Sequence, residues 1–337
     1  MELVVEGKGS FVGKHQGRLR VTCQQKTVTE VPLIHLKQVI IVAGGVGISS
    51  DVIRTCSEEG IPIHFVSGRG TAFASLYSAG LTGTVITRRA QLLAYEHKTG
   101  VAVVRAFVTG KLENQANLLR YMAKYRKETN VALYEELMLV ALGMRDFIHD
   151  LEQLNAERID DIREQILSIE GRAAQRYWAM VARIIPNELE WPGRETQGAT
   201  DPFNSALNYG YGILYGQVEY ALTLAGLDPF GGFLHTDRPG KPSLVLDCIE
   251  EFRQTIVDRA IIALVNKHVP LEQDEEGLLT ETTRKKIAEK VIERLESSES
   301  YEKKRQALRF ILQSQARHLA LFLRNDRASY EPFVAGW

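Results

Sequence analysis

Two patterns of apolar residues divide the chain. Over roughly the first 85 residues, short runs rich in β-branched residues, such as RLRVTC at 18–23, alternate with polar turns and predict strands. One stretch there, 48–60, predicts a short helix with Ser49 or Ser50 as its N-cap and Gly60 at its C-terminal end. After that region, apolar residues recur at three- and four-residue steps, which predicts helices almost to the C-terminus.

This change of period predicts an α+β protein with two domains. Residues 1–86 form a small β-rich domain with one helix, and residues 87–337 form a larger, all-α domain. A chain of 337 residues is long enough for two cores. We expect a basic linker at about Thr84–Arg89, and a polar junction between helices at 294–306, RLESSESYEKKRQ.

Composition narrows the class of protein only a little. Hydrophobic residues make up 45% and charged residues 25%, as in ordinary globular proteins. The net charge of −1 argues against a protein that coats nucleic acid through bulk positive charge, although a local basic face stays possible. The 3 cysteines are too sparse for a disulfide framework or a zinc site and suit a reducing cytoplasm. No apolar stretch is long enough to cross a membrane.

A carboxylate interrupts the apolar stripe of the helix predicted around DIREQILSIEGRAAQRYWAMVARII. Glu170 lies four residues from Ile166 and seven from Tyr177, so it points along the stripe and not to water. A buried, ionised glutamate costs several kcal/mol unless a cation pairs with it. A structural salt bridge and a metal ligand are both consistent with this position.

Polar residues also follow the inner face of the helix that begins near Asn204. Asn208, Tyr211 and Tyr215 continue this stripe, while Gly210, Gly212 and Gly216 leave room for close packing. Such residues either satisfy one another or support a nearby site.

A histidine and two carboxylates follow within one short stretch. His235 ends the loop GGFLH, and Asp247 and Glu250 are one turn apart on the next predicted helix, where both carboxylates can reach one point. Like charges this close need a cation, either a metal or Arg253. A shell of carboxylates with one histidine suits Mg²⁺ or Mn²⁺ better than structural zinc.

Other catalytic motifs are missing or incomplete. The glycines at 44, 45 and 47 follow a predicted strand but do not form GxGxxG, and no acidic residue ends the next strand. There is no GxxxxGK[ST] loop, no HExxH pair and no Ser-His-Asp arrangement that stands out. These patterns disfavour dinucleotide, ATP and zinc-protease chemistry.

Several ordered motifs together resemble one family. They are IEGRAAQRYW, DPFNSALNYGYGILYG, GGFLHTDRPGKPSLVLDCIEEFR and the terminal YEPFVAGW, with GKLENQANLLR further upstream. This set is similar to CRISPR-associated protein one, the DNA integrase and endonuclease of spacer acquisition, and the resemblance covers essentially the whole chain. It implies a β-rich N-terminal domain that mediates homodimerisation and a helical catalytic domain.

The resemblance also assigns roles to residues. Its metal ligands correspond to Glu170, His235 and Glu250, which would be the catalytic residues holding Mg²⁺ or Mn²⁺, and Asp247 would assist or coordinate through water. Further motif positions imply contacts to DNA or support for the ligands: Asn204, Tyr215, Lys241 and Arg253. The loop WPGRETQGAT departs from the family pattern, which makes Arg194 less secure as a DNA contact. Candidate phosphate contacts are Arg88, Arg89, Lys111, Arg120, Lys124, Lys303, Lys304 and Arg305.

The expected reaction is transesterification, in which a DNA 3′-hydroxyl attacks a phosphodiester at the CRISPR repeat, with DNA cleavage by the same site. The expected partners are double-stranded DNA (spacer precursor and CRISPR repeat), a second copy of the chain and a small second adaptation subunit, with no membrane. Two alternatives stay open: a DNA-binding scaffold with structural carboxylates, and a metal-dependent phosphohydrolase acting on small phosphoesters.

Overall fold

The computed structural model describes residues 2–33, 36–42, 44–59, 61–67, 72–76, 85–196, 198–236 and 238–337. Strands dominate the first part of the chain and helices the rest, so the predicted α+β class is confirmed. None of the helices in this described part combines the length and apolar character that crossing a bilayer requires.

In the described N-terminal region, strands pair into two sheets. One sheet has the order β1-β5-β7-β8, with β8 antiparallel to its neighbour and the other pairs parallel. The other has the order β4-β3-β2-β6. Apolar residues of both sheets and of helix α1 share one core, which includes Val12, Leu19 and Ile63. The strands are β1 Glu2–Val5, β2 Ser10–His15, β3 Arg18–Cys23, β4 Lys26–Pro32, β5 Gln38–Ile41, β6 Gly47–Ile48, β7 Ile63–Val66 and β8 Ala72–Leu76.

Helix α1, Ser50–Glu58, is the helix predicted within this region. The Ser49 hydroxyl accepts a hydrogen bond from the Val52 amide at 3.3 Å, so Ser49 is its N-cap as predicted. Gly60, the predicted end of this helix, lies outside the described residues.

The remaining described chain is mostly helical. The segment predicted as a polar junction between helices instead forms a hairpin of β9 and β10, which packs on α10. This region is therefore not purely α-helical. The predicted boundary between residues 86 and 87 lies inside α2, and Arg88 and Arg89 are exposed on that helix; Thr84 lies outside the described part. The elements are α2 Val85–Ala94, α3 Lys98–Lys124, α4 Val131–Gln153, α5 Arg163–Ile184, α6 Pro202–Leu224, α7 Ser243–Cys248, α8 Arg259–Asn266, α9 Glu281–Glu296, β9 Ser298–Tyr301, β10 Lys304–Ala307 and α10 Leu308–Leu323.

Helix α6 runs through the centre of the helical region, and its glycines permit close contacts. A Cβ atom on Gly210 would lie 2.7 Å from Val257 Cγ1, which is closer than van der Waals contact allows. A Cβ atom on Gly216 would lie 3.4 Å from the ring of His64 in β7. Close packing of another helix, as predicted for these glycines, is confirmed at Gly210, because Val257 belongs to the helical segment Gln254–Asp258. Gly216 instead brings α6 against a strand of the β-rich region.

We expect His64 to make the protein less stable in mild acid. Its ring is buried beside α6 and lies 3.0 Å from the Ser75 hydroxyl, which in turn donates to Glu219 at 3.2 Å. Burial lowers the pKa of His64 from 6.5 to about 4, so between these values the unfolded chain binds more protons. The free energy of unfolding should fall by about 3 kcal/mol as the pH drops from 6.5 to 4. Urea unfolding of the wild type and of His64→Gln across this pH range checks this prediction. Equal slopes of the unfolding free energy against pH in the two proteins would contradict it.

Candidate active site

Three segments bring two glutamates and a lysine together in the helical region. Glu170 comes from α5, Lys111 from the middle of α3, and Glu250 from a 3₁₀ turn, Ile249–Glu251, that follows α7. The Lys111 ammonium donates a hydrogen bond to Glu170 Oε1 and lies 2.8 Å from Glu250 Oε2. Glu250 is 3% exposed and Lys111 8%, so this arrangement is a buried ion cluster.

Arg253 supplies the second positive charge of the cluster. Its guanidinium pairs with Glu250 Oε1 at 2.7 Å and packs over the Tyr211 ring at 4.9 Å from the centroid. The Tyr211 hydroxyl donates to the buried Asp258, which also accepts from Tyr177 at 2.7 Å. Because these tyrosines come from α6 and α5, the position of Arg253 is fixed by the packing of both helices.

These charges determine the ionisation of Glu250. Burial acts to raise the pKa of its carboxyl group, but Arg253, Lys111 and, less strongly, His235 lower that pKa to about 2. Burial acts to lower the pKa of the Lys111 ammonium, and the two glutamates raise it above its usual value. Glu250 is therefore an anion and Lys111 a cation at neutral pH.

Asp247 holds the loop that carries His235. One carboxylate oxygen accepts from the amides of Phe233 and Leu234 at 2.6 and 3.1 Å, and the other accepts from the His235 amide at 3.0 Å. That second oxygen also lies 2.6 Å from His235 Nδ1. Since a carboxylate accepts, Nδ1 carries the proton, and the lone pair of a neutral ring is on Nε2.

Two further contacts hold this loop against α7 and α5. A Cβ atom on Gly232 would lie 2.5 Å from Ser243 Cβ, so only glycine permits the approach to α7. Arg163, at the start of α5, donates to the carbonyl oxygens of Phe233 and Leu234, both at 3.0 Å. The backbone that carries the imidazole is thus held through its N–H groups and its carbonyls. Arg163 is not among the candidates that the sequence predicts.

The carboxylates of Asp247 and Glu250 do not face a common point. Helix α7 ends at Cys248 and the chain continues in a 3₁₀ turn, so the spacing of an α-helix does not hold across this pair. Asp247 faces the loop, while Glu250 faces Lys111 and Arg253. Asp247 therefore holds the loop and the His235 ring, and Glu250 belongs to the ion cluster.

Asn204 and Asn208 hold Arg194 in place. Asn204 Oδ1 accepts from Arg194 Nη1 at 3.0 Å and from the Glu195 amide at 3.1 Å, and Asn208 Oδ1 accepts from Arg194 Nη2 at 2.7 Å. The Arg194 guanidinium also packs on the rings of Trp178 and Tyr211, at 5.8 and 5.4 Å. The polar stripe of α6 thus positions a cation beside Tyr211, on which Arg253 also packs.

Within the described part of the chain, the other predicted residues form no hydrogen bond or ion pair with Glu170 or Glu250. Tyr215 lies on α6 near Glu219, and Lys241 is half-buried in the turn before α7. Arg120 is half-buried and donates to Asn117 and to the Ala141 carbonyl, so its guanidinium is already engaged within the fold. The following basic candidates are exposed: Arg88, Arg89, Lys124, Lys303, Lys304 and Arg305.

Lys111 was expected to contact a DNA phosphate, and in this structure it pairs with the two glutamates instead. A sequence signal for its burial exists, since Lys111 follows Val104 and Val108 and precedes Gln115 on one face of α3, and all of these are buried. The same reasoning from spacing that places Glu170 on an apolar stripe applies to Lys111.

The donor set fits a divalent cation, although no three acidic, histidine or cysteine side chains of the described residues converge closely enough to form a complete metal cage. Two carboxylates already share a cation, and no hydrogen-bond donor among the described residues is aligned with the buried Glu250 Oε2. The 2.8 Å approach of Lys111 to that oxygen is an ion pair without hydrogen-bond geometry. A set of carboxylate oxygens with one imidazole suits Mg²⁺ or Mn²⁺.

The fold places this chain in a known structural class. It is similar to a casposase bound to integration product, with a TM-score of 0.82 and 22% identity, covering 98% of this chain and 92% of that one. It is equally similar to a CAS1 protein from Thermotoga maritima, with a TM-score of 0.80 and 17% identity, covering 99% of this chain and 100% of that one. At these identities the likeness concerns the fold: a β-rich region followed by a larger helical one.

Sequence comparison identifies the family. Residues 3–293 match the family described as CRISPR associated protein Cas1, and the chain belongs to it. It is 36% identical to CRISPR-associated endonuclease Cas1 1 of Archaeoglobus fulgidus, with 100% of both chains covered. It is 33% identical to CRISPR-associated endonuclease Cas1 3 of Thermus thermophilus, covering 96% of this chain and 94% of that one. The family resemblance drawn from the sequence motifs is thus confirmed.

Proposed function

We propose that this protein is a metal-dependent DNA integrase and endonuclease of CRISPR spacer acquisition. It joins DNA 3′-hydroxyl ends to phosphodiesters at the CRISPR repeat by transesterification, and the same site cleaves DNA. The observation that carries this proposal is the pair of carboxylates of Glu170 and Glu250, which α5 and the 3₁₀ turn bring to one point in a member of the Cas1 family. His235 lies in the loop before α7, where Asp247 holds it.

Glu170, Glu250 and the Nε2 atom of His235 would hold Mg²⁺ or Mn²⁺. A divalent ion bound there supplies Lewis acidity, which neutralises charge on the phosphoryl oxygens and orients the attacking hydroxyl. Asp247 acts as a positioning residue in this proposal, because its two oxygens are already engaged with the loop and with His235 Nδ1. A carboxylate on the far nitrogen fixes the ring tautomer and strengthens the imidazole as a donor.

The arginines around the cluster bind and orient the DNA backbone. Arg253 and Arg194 both lie over the Tyr211 ring, and this contact restricts the motion of each planar guanidinium. Such groups suit paired hydrogen bonds to phosphate oxygens. Lys241 and the exposed basic candidates of α2, α3 and the β9–β10 hairpin would contact phosphates further along the duplex. Asn204 and Asn208 contribute by fixing Arg194.

Similar solved structures support the proposed partners. They are a casposase bound to integration product, a Cas6-RT-Cas1–Cas2 complex and a TtCas1–DNA complex, with TM-scores of 0.82, 0.78 and 0.58. By analogy, this chain binds double-stranded DNA and a small second adaptation subunit, and its β-rich region mediates a homodimer. We place its reaction in the cytoplasm, where CRISPR DNA is found.

Removal of divalent metal should abolish strand transfer. The test is joining of a labelled short duplex to a supercoiled plasmid bearing a CRISPR repeat, with the second adaptation subunit present and with Mg²⁺, Mn²⁺ or EDTA. We expect joining with either metal and none with EDTA, and no joining by His235→Ala although that variant binds DNA.

Two results would replace the proposal with one of its alternatives. Salt-sensitive duplex binding without joining under any metal condition indicates a DNA-binding scaffold. Hydrolysis of small phosphoesters without salt-sensitive duplex binding indicates a phosphohydrolase.

A further inference from the structure

A lysine ammonium fills the space between the two carboxylates of the candidate active site. The Lys111 ammonium donates to Glu170 and lies 2.8 Å from Glu250 Oε2, with the side chain 10% exposed. The other oxygen of Glu250 pairs with Arg253 at 2.7 Å. Two anions and two cations thus balance within the cluster.

A divalent cation cannot simply be added to this charge-balanced cluster. Glu170 and Glu250 both face the ammonium, so an ion bound by both carboxylates would have to lie where Lys111 Nζ now lies. Two cations cannot share that space, and their repulsion is strong where water is excluded. Either the divalent ion binds elsewhere or the ammonium leaves.

The two cations of the cluster differ in how firmly they are held. The Arg253 guanidinium is packed on Tyr211 and adjoins the network of Asp258 with two tyrosines. Among the described residues, the Lys111 ammonium is held only by the carboxylates of Glu170 and Glu250, at the end of a flexible four-carbon stem. Lys111 is therefore the cation that can be exchanged.

We propose that Lys111 is an exchangeable counter-ion of the metal site. In the metal-free protein it neutralises Glu170 and Glu250 and keeps the site assembled, and a divalent cation must displace it to bind. This inference rests on the proposed function, because it takes these two glutamates as the metal ligands. It predicts that wild-type affinity for metal is weakened by an internal competitor.

The test uses the full-length protein, freed of metal with EDTA, and measures both thermal unfolding and Mn²⁺ binding. Lys111→Met leaves two buried carboxylates with too little positive charge, so the metal-free melting temperature should fall by at least about 5 °C. With the competitor removed, Mn²⁺ should bind at least about tenfold more tightly, by calorimetry or by the electron paramagnetic resonance of free Mn²⁺.

A matched control lies on the same helix. Lys98 pairs with Glu157 at 2.8 Å, but its side chain is 67% exposed, so Lys98→Met should change neither the melting temperature nor the Mn²⁺ affinity. Lys111→Gln is a milder second variant, because its amide still donates to one carboxylate. It should also bind Mn²⁺ more tightly than the wild type.

The readout separates this inference from the reaction itself. Tighter Mn²⁺ binding by the Lys111 variants supports the exchange even if no protein joins DNA, in which case only the proposed function fails. Unchanged or weaker Mn²⁺ binding in either folded variant, or no Mn²⁺ binding by any variant, overturns the inference. Adding Glu170→Gln to Lys111→Met should reverse the gain in affinity, which assigns the gain to this pair of carboxylates.

Discussion

Glu170→Gln should lower strand transfer by roughly 10³-fold while the protein stays folded. A glutamine oxygen is a much weaker ligand than a carboxylate, and loss of one charged ligand removes several kcal/mol of stabilisation from the charged transition state. Each 1.36 kcal/mol corresponds to a tenfold change in rate. The fold survives because Lys111 still pairs with Glu250 at 2.8 Å.

The assay for this variant is joining of labelled DNA to a plasmid bearing a CRISPR repeat, with circular dichroism and duplex binding measured in parallel. Glu164→Gln is the matched control: it changes a glutamate of the same helix, but an exposed one near its first turn. We expect wild-type joining by Glu164→Gln. If Glu170→Gln joins DNA at the wild-type rate, Glu170 is only a counter-ion for Lys111 and the assignment of this carboxylate to catalysis is wrong.

The sequence was sufficient for the parts of the site that depend on local spacing. Glu170 stands out because it interrupts an apolar stripe, and its side chain is indeed only 13% exposed. The N-cap at Ser49 and the glycines of α6 follow from equally local rules, namely capping and the steric need for glycine at a close approach.

The parts that the sequence did not predict depend on contacts between distant segments. Lys111 looks like one more basic residue until α3, α5 and the 3₁₀ turn are placed side by side, and only then does its ammonium have two partners. The spacing of Asp247 and Glu250 implied a shared face, but α7 ends between them. A 3₁₀ turn has three residues per turn instead of 3.6, so α-helical spacing does not predict the direction of the Glu250 side chain.

The hairpin at 298–307 also depends on contacts between distant segments. Its sequence is polar and resembles a junction, because strand formation there depends on partners outside the segment. Glu299 in β9 accepts from the indole of Trp337 at 3.0 Å and pairs with Arg259 at 3.3 Å. Arg259 in turn packs between the rings of Tyr121 and Trp337, at 4.3 and 4.6 Å. The C-terminal residue of the chain thus fixes a strand nearly forty residues earlier.

The carboxylate next to Glu250 has a structural role that sequence spacing does not reveal. Glu251 is fully buried and accepts from the Tyr330 hydroxyl, from the Phe333 amide at 2.8 Å and from Gln315 Nε2 at 3.1 Å. Asn114 extends the same contact by donating to the carbonyl oxygens of Glu251 and Phe333, at 2.9 and 2.8 Å. The terminal segment is therefore bonded directly to the turn that carries Glu250.

Glu251→Ala should lower the free energy of unfolding by about 4 kcal/mol, because it removes the acceptor of three buried hydrogen bonds and opens a cavity. Burial raises the pKa of Glu251 to about 7 although three donors act to lower it. The folded protein thus holds its proton more tightly, so the stability that Glu251 contributes is largest below pH 4.5 and declines as the pH rises through 7. Urea unfolding at pH 6 and pH 8 measures the difference, which should be smaller at pH 8.

Glu331→Ala is the control for this prediction, because Glu331 belongs to the same terminal segment but is exposed. Its free energy of unfolding should stay within about 0.5 kcal/mol of the wild type. Limited proteolysis gives a second readout, since a terminal segment released from Glu251 becomes a substrate while the rest of the chain is still folded. Equal stability and equal protease resistance of Glu251→Ala and Glu331→Ala would show that Asn114 and the packing of Phe333 hold the segment by themselves. In that case the position of Glu250 would not depend on the neighbouring carboxyl group of Glu251.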